Sequence, residues 1–91
     1  MELRQGDRFA SRFVTAARIP ASNAEVAILD ISTTGCKIRT SSELAQIGAT
    51  ILIRLPDGEE AAGQIAWKNK ERCGVKFSKP IPEQLIDRIA L

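Results

Sequence analysis

Between residues 13 and 77 the sequence divides into short stretches of strand-forming residues, and a turn separates each stretch from the next. The turn at 56–58 is the clearest, because Pro56 presets one backbone dihedral and Gly58 accepts a positive φ. A single helical turn with a serine cap is predicted at 41–45. About six short strands at such regular spacing are typical of a small antiparallel barrel. The predicted strands are 13–19, 24–31, 36–40, 50–55, 60–68 and 73–77.

Strict alternation of side chains predicts which residues of these strands share a face. In the second strand, Val26 and Ile28 are placed on one face and Ile31 on the other. In the fifth strand, Trp67 is placed on the same face as Ile65. We therefore expect Trp67 to pack in the barrel wall, with base stacking as the less favoured role.

The two ends of the chain depart from the strand pattern. Residues 1–12 have no steady hydrophobic period and are predicted to form a flexible, arginine-bearing arm that Phe9 and Phe13 anchor. Residues 83–91 have leucine and isoleucine at helical spacing, which predicts an amphipathic helix that caps one end of the barrel. The predicted organisation is therefore the arm followed by one barrel domain, 13–91.

Composition limits the classes of function. A chain of 91 residues, 44% of them hydrophobic, has room for one folded domain. Histidine is absent from the sequence and no nucleophile has an activating partner, so we predict no enzyme activity. We expect Cys36 and Cys73 to be buried thiols, with a disulfide as the less favoured alternative and no structural zinc. Since no apolar run could span a bilayer and no apolar signal core is present, we expect a cytoplasmic protein. We also expect no cofactor.

The formal charge of +2 is concentrated near the N-terminus. Residues 1–18 carry four arginines and two acidic residues, whereas residues 19–91 carry nine basic and nine acidic residues. A balanced body with a basic arm indicates a local anion site and not a broad nucleic-acid surface.

The arm carries Arg4, Arg8 and Arg12 at a spacing of four residues. The pattern R-x-x-x-R fits both Arg4/Arg8 and Arg8/Arg12, and we slightly favour the first because it leaves a longer run before the strand. An arginine fork can bind a phosphate or the O6 and N7 atoms of guanine through two parallel hydrogen bonds. Taken alone, however, the pattern is better explained by a solvated basic terminus.

A second motif lies at the end of the second predicted strand, where Asp30, Ser32 and Gly35 follow each other at fixed spacing. The aspartate carboxylate can accept hydrogen bonds from the N1–H and N2–H₂ edge of guanine. The Ser32 hydroxyl can donate to a phosphate or a base, and Gly35 gives the turn its conformational freedom. The alternative is a turn whose Asp and Ser side chains bond their own backbone.

The two motifs in this order resemble the PilZ domain family of bacterial cyclic di-GMP receptors. That family is marked by R-x-x-x-R in an N-terminal loop and by [D/N]-x-S-x-x-G a few tens of residues later. Asp30, Ser32 and Gly35 match every fixed position of the second motif. The resemblance continues through Gly48, 63–67 and 73–77, and so covers nearly the whole chain.

This resemblance implies a mainly β fold, a six-stranded antiparallel β-barrel with a short C-terminal α-helix, which binds the second messenger cyclic di-GMP. It implies that the ligand-ordered arm relays the signal to an unidentified partner protein. One or two ligands per chain are possible, and the oligomeric state is open. By resemblance the ligand-binding residues are Arg4, Arg8, Asp30, Ser32 and Gly35, with Arg12 as a further candidate.

Two alternative functions are weaker. The first is a PilZ-like protein-interaction module that does not bind nucleotide, which the uncertain register of the arginines leaves open. The second is a small barrel that binds RNA or single-stranded DNA, which needs stacking aromatic side chains on an exposed basic face. The few aromatic residues and the neutral body disfavour this second alternative.

Overall fold

The structure is a computed structural model that describes residues 7–91, and it shows a closed antiparallel barrel followed by a short helix. Six strands close the barrel in the order β3-β2-β5-β6-β7-β4, because β4 pairs back with β3. This confirms the predicted fold class. The elements are β1 (Phe9–Ala10), β2 (Val14–Ile19), β3 (Ser22–Ile31), β4 (Gly35–Arg39), β5 (Thr50–Arg54), β6 (Glu60–Asn69), β7 (Arg72–Phe77) and α1 (Glu83–Ile89).

Short turns join the strands except between β4 and β5, where the connection is residues 40–49. Gly58 has a φ of 89°, as the sequence predicted for the turn between β5 and β6. The predicted helical turn at 41–45 is wrong. The Ala45 N–H donates to the Ser42 carbonyl over 3.3 Å, a bond that spans three residues. The Leu44 N–H donates to Ser42 Oγ and the Gln46 N–H to the Leu44 carbonyl, so none of these three bonds spans the four residues of an α-helix.

The barrel interior is filled mainly by isoleucine side chains, which suit the pleated surface of a strand. Cys36 and Cys73 are buried in this core as free thiols, as expected. The helix α1 closes one end of the barrel with Leu85, Ile86 and Ile89, which confirms the helix predicted from their spacing. Within residues 7–91 this seven-residue helix is the only one, and no helix there has the length and apolar character needed to cross a membrane.

A β-bulge in β3 changes the face of its last residues. The pairing with β4 shifts between Ile28 and Asp30, so one extra residue lies between them. As a result Val26, Ile28 and Ile31 are all fully buried. The prediction that Ile31 lies on the opposite face from Val26 is therefore wrong, because strict alternation takes no account of a bulge. The same bulge places Asp30 opposite Lys37 on the outer surface.

A second bulge, in β6, has the same effect on Trp67. The pairing with β7 shifts between Ile65 and Trp67. Ile65 is buried in the core, whereas Trp67 is 42% exposed on the outer face of the barrel. The prediction that Trp67 packs in the core beside Ile65 is therefore wrong, and the extra residue in the strand is the reason.

Residues 9–11 bind both to the barrel and to the C-terminal end of the chain. Phe9 and Ala10 form a two-residue strand, β1, on the edge of β3, within the segment that the sequence predicted to be a loop. Ser11 Oγ donates to the Ile89 carbonyl over 2.8 Å, and the Leu91 N–H donates to the Ala10 carbonyl over 2.9 Å. Phe9 packs against the core, as does Phe13, so both act as the predicted anchors.

Candidate ligand-binding site

The first site residues that the structure brings together are Arg8 and Asp30, which lie 22 residues apart in sequence. Arg8 Nη1 lies 2.8 Å from Asp30 Oδ1. The Lys37 backbone N–H donates to the same oxygen over 3.1 Å, and Lys37 Nζ lies 3.5 Å from Asp30 Oδ2. The Arg8 side chain is half exposed, and an exposed ion pair of this kind contributes only about 0–1 kcal/mol to stability. The Arg8 guanidinium is therefore accessible to a ligand at little cost to the fold, whereas the Asp30 side chain is only 22% exposed.

Ser32 shapes the turn between β3 and β4. Its side chain is buried, and its hydroxyl oxygen accepts hydrogen bonds from the backbone N–H groups of Thr34 and Gly35, each over 3.2 Å. The hydroxyl also lies 3.2 Å from the Gly35 carbonyl, to which it can donate. The geometry is that of a serine turn, which was the alternative to ligand contact. Direct contact of Ser32 with a ligand stays a prediction.

Gly35 stands where β4 meets β7, and its lack of a side chain permits that contact. A Cβ at this position would overlap the carbonyl oxygen of Val75. The turn that precedes Gly35 is tied to the same strand, since the Phe77 N–H donates to the Thr34 carbonyl over 2.9 Å. The glycine of the motif is thus required by backbone packing, whether or not it touches a ligand.

Trp67 forms one wall of a cleft next to this turn. Its indole lies directly on Gly74, where a Cβ would overlap the ring. The cleft has a volume of about 290 Å³. Its lining residues are Arg8, Thr34, Gly35, Ala66, Trp67, Gly74, Val75 and Lys76. Sequence reasoning missed Trp67 as a site residue, although a glycine inside a strand, such as Gly74, often marks a close approach of another group.

Cations outnumber anions around the cleft. Arg8 and Lys76 line it. Lys37 lies beside it, because its Nζ contacts Asp30, the ion-pair partner of Arg8. Among these four residues only Asp30 carries a negative charge, so the surroundings suit an anion that also offers hydrogen-bond donors to a carboxylate. No group of three or more His, Cys, Asp or Glu side chains within residues 7–91 is placed to hold a metal ion.

The other two arginines of the arm do not join this arrangement. Arg4 lies outside the described residues. Arg12 is exposed, does not line the cleft, and forms no hydrogen bond or ion pair with any residue that the structure describes. The structure thus brings together Arg8, Asp30, Ser32 and Gly35 from the predicted set, and adds Lys37, Trp67 and Lys76 beside them.

Cys36 lies beneath this site, inside the barrel. Burial, together with the nearby Asp30 carboxylate, raises the pKa of its thiol to about 12, while Arg8 acts in the opposite direction. The thiol is therefore protonated at neutral pH and is a poor nucleophile.

The raised pKa of Cys36 predicts a loss of stability in alkali. In the unfolded chain the thiol ionises near 9.0, whereas in the folded chain it keeps its proton up to about 12. The stabilisation is complete below pH 9 and is lost as the pH rises between these values, because the unfolded state then binds fewer protons. From pH 8 to pH 10, urea denaturation under reducing conditions should show the wild type losing about 1.4 kcal/mol more than Cys36→Ala. If the free energies of unfolding of the two proteins changed in parallel with pH, the raised pKa of Cys36 would be contradicted.

Comparison of the sequence with known proteins gives one match. A model of the PilZ domain family matches residues 2–91. No curated protein and no solved structure showed significant similarity to the chain.

Proposed function

The chain belongs to the PilZ domain family, and from this premise we propose that it is a cytoplasmic, non-enzymatic bacterial receptor for cyclic di-GMP. The ligand binds in the cleft beside Gly35 and needs no cofactor or metal. The observation that carries the proposal is the exposed indole of Trp67, which lines the same cleft as Arg8, the ion-pair partner of Asp30.

The groups in the cleft match the chemistry of guanine. Trp67 presents an aromatic surface on which a base can stack, and stacking of this kind contributes about 1–3 kcal/mol per base. Asp30 can accept hydrogen bonds from the N1–H and N2–H₂ groups, which distinguish guanine from adenine. Arg8 can donate two parallel hydrogen bonds to O6 and N7 or to a phosphate.

The charges around the cleft match the two phosphates of the ligand. Arg8, Lys37 and Lys76 provide three positive charges, of which Asp30 neutralises one. The arm arginines Arg4 and Arg12 add to this cation set when the arm closes over the ligand. Ser32 and Gly35 act by holding the turn in shape, as their hydrogen bonds and packing support.

The path by which binding reaches a partner protein begins at Arg8. Two residues later the chain enters contacts with the C-terminal end of the helix, where Ser11 Oγ donates to the Ile89 carbonyl and the Leu91 N–H donates to the Ala10 carbonyl. A ligand that fixes Arg8 therefore acts on the same backbone segment that holds the end of α1. We propose that ordering of the part of the arm ahead of this anchored segment changes the surface that the partner recognises.

The experiment that tests the proposal is a titration of the full chain with cyclic di-GMP. Calorimetry and tryptophan fluorescence are the two readouts. Trp67 is the only tryptophan in the sequence, so a change in emission reports on the cleft alone. We expect saturable quenching and a molar ratio of one or two ligands per chain. Cyclic di-AMP and a mixed single-stranded oligonucleotide serve as controls, and neither should bind. Absence of heat and of quenching with cyclic di-GMP would rule the proposal out.

A Trp67→Ala variant should bind cyclic di-GMP less tightly, by about tenfold or more, because it loses the stacking surface but keeps Arg8 and Asp30. Calorimetry measures this change directly. Trp67→Phe is the matched control, since it keeps an aromatic face and should recover much of the affinity. Equal affinity of the alanine variant and the wild type would show that the base does not stack on this side chain.

A further inference from the structure

A second concave surface lies at the other end of β6, away from the candidate ligand site. The strand pairing of β6 with β7 ends at Gly63 and Phe77, and the Ser78 N–H donates one further bond to the Ala62 carbonyl over 2.9 Å. Beyond this bond, Glu60 and Ala61 pair with β5 alone. A groove of about 400 Å³ opens in this gap. None of the residues that line it also lines the cleft beside Gly35.

The floor of the groove is apolar. It consists of Leu55, Ala61, Ile81 and Leu85, which come from the end of β5, the start of β6, the loop after β7 and the helix. Ala62 is exposed on the groove wall. The four floor residues are each only 5–7% exposed, so the floor can accept one apolar side chain and leaves hydrogen bonding to the rim.

The rim of the groove is acidic on a protein whose formal charge is +2. Asp57, Glu59 and Glu60 line it, and Lys79 is the one cation among the lining residues. Outside the lining, Arg88 donates to the Pro56 carbonyl, next to Asp57, over 3.2 Å. Glu60 is already paired with Arg18 at 2.8 Å. The Glu59 side chain, by contrast, has no hydrogen bond or ion pair with any other residue in the described part of the chain. This charge is opposite in sign to that of the candidate ligand site, so an anionic nucleotide is not the occupant.

We propose that this groove docks a short segment of a partner protein in which an apolar side chain is flanked by lysine or arginine. The apolar residue fills the floor and the flanking cations face the carboxylates of the rim. Charge complementarity at such a rim mainly sets the rate of encounter and the choice of partner, whereas burial of the apolar side chain supplies the affinity. The proposal does not depend on nucleotide binding.

The test begins with a random dodecapeptide library displayed on phage and selected against the full chain. We expect the selected peptides to carry leucine, isoleucine or an aromatic residue next to lysine or arginine. A fluorescein-labelled peptide from this set is then titrated by fluorescence anisotropy against two charge-reversal variants. Glu59→Lys should weaken binding about tenfold or more, whereas Glu43→Lys, the same change on an exposed loop outside the groove, should alter it less than about twofold.

A variant that fills the groove tests whether the peptide binds there. Ala62→Trp places a large side chain over the groove from an exposed position, so the barrel should fold and peptide binding should be lost. Cyclic di-GMP affinity is measured on the same variants and should not change, which separates a failure of this proposal from a failure of the nucleotide assignment. Selection of acidic peptides or of none, equal loss in Glu59→Lys and Glu43→Lys, or full binding to Ala62→Trp would each overturn the proposal.

Discussion

Replacing Arg8 by alanine is expected to weaken cyclic di-GMP binding at least about 100-fold while leaving the barrel folded. Hydrogen bonds to charged groups contribute about 1.5–3 kcal/mol each, and a guanidinium fork makes two of them. Loss of both corresponds to about 3–6 kcal/mol, at about 1.4 kcal/mol per tenfold change in affinity. Calorimetric titration measures the loss, and thermal unfolding checks the fold.

Arg18→Ala is a closely matched control for this variant. Arg18 forms an ion pair with Glu60 at 2.8 Å, the same distance as Arg8 to Asp30, and its side chain is equally half exposed. Both variants should lose no more than about 1 kcal/mol of stability, because each breaks one exposed ion pair. Only Arg8→Ala should lose the ligand. If both bound cyclic di-GMP as tightly as the wild type, the assignment of Arg8 to the site would be wrong.

Gly35→Ala is expected to produce the largest loss of stability among single substitutions at the site, about 3 kcal/mol. The new Cβ would overlap the Val75 carbonyl oxygen, and this atom belongs to the backbone of a paired strand and cannot rotate away. Relief of the overlap requires β4 and β7 to separate, which weakens their pairing and the packing beneath it. In a domain of this size the loss should lower the melting temperature by about 12–24 °C, as calorimetry or circular dichroism would measure.

Gly74→Ala distinguishes a backbone overlap from a general effect of adding a methyl group. At this position the Cβ meets the indole of Trp67, a side chain that can turn away on the surface. We expect a stability loss of about 1 kcal/mol and a clear change in tryptophan emission. A melting temperature of Gly35→Ala as high as that of Gly74→Ala would show that the contact with Val75 adjusts more easily than the structure indicates.

The strands and the helix were predictable from the sequence because their signals are local. Turn residues such as Pro56 and Gly58 mark the ends of strands through their own backbone preferences, and Leu85, Ile86 and Ile89 mark the helix through their spacing. The segment 41–45 was assigned wrongly because a serine cap signal does not ensure that the following residues continue a helix. Its backbone forms short turns instead, with Ala45 buried in the core.

The candidate site was predicted in part. Asp30, Ser32 and Gly35 stand in one short motif, and the structure places them at one turn with Arg8 beside them. The motif did not show that Ser32 is buried in its own turn, because either use of the hydroxyl is compatible with the same residue.

Trp67 and Ile31 show where the prediction of strand faces from alternation failed. Each was assigned to a face by strict alternation, and in each case one extra residue in the strand reversed the assignment. A bulge is defined by the pairing of its strand with a neighbouring strand, here β4 for Ile31 and β7 for Trp67, so the sequence of a single strand carries no clear sign of it. Both bulges lie next to the candidate site, where such irregularities commonly redirect a side chain.

The sequence alone was enough to determine the number of barrel strands, the closing helix and the motif of Asp30, Ser32 and Gly35. Each of these depends on neighbours within a few positions. Only the closed barrel decided that Asp30 faces Arg8, that Trp67 lies on Gly74 at the surface, and that a groove with an acidic rim opens beyond Phe77. Arg8 and Asp30 lie 22 residues apart and the groove combines residues from Leu55 to Leu85, whereas the contact of Trp67 with the nearby Gly74 depends on the bulge in β6. Their geometry is set by how the strands pair and pack, which no local pattern specifies.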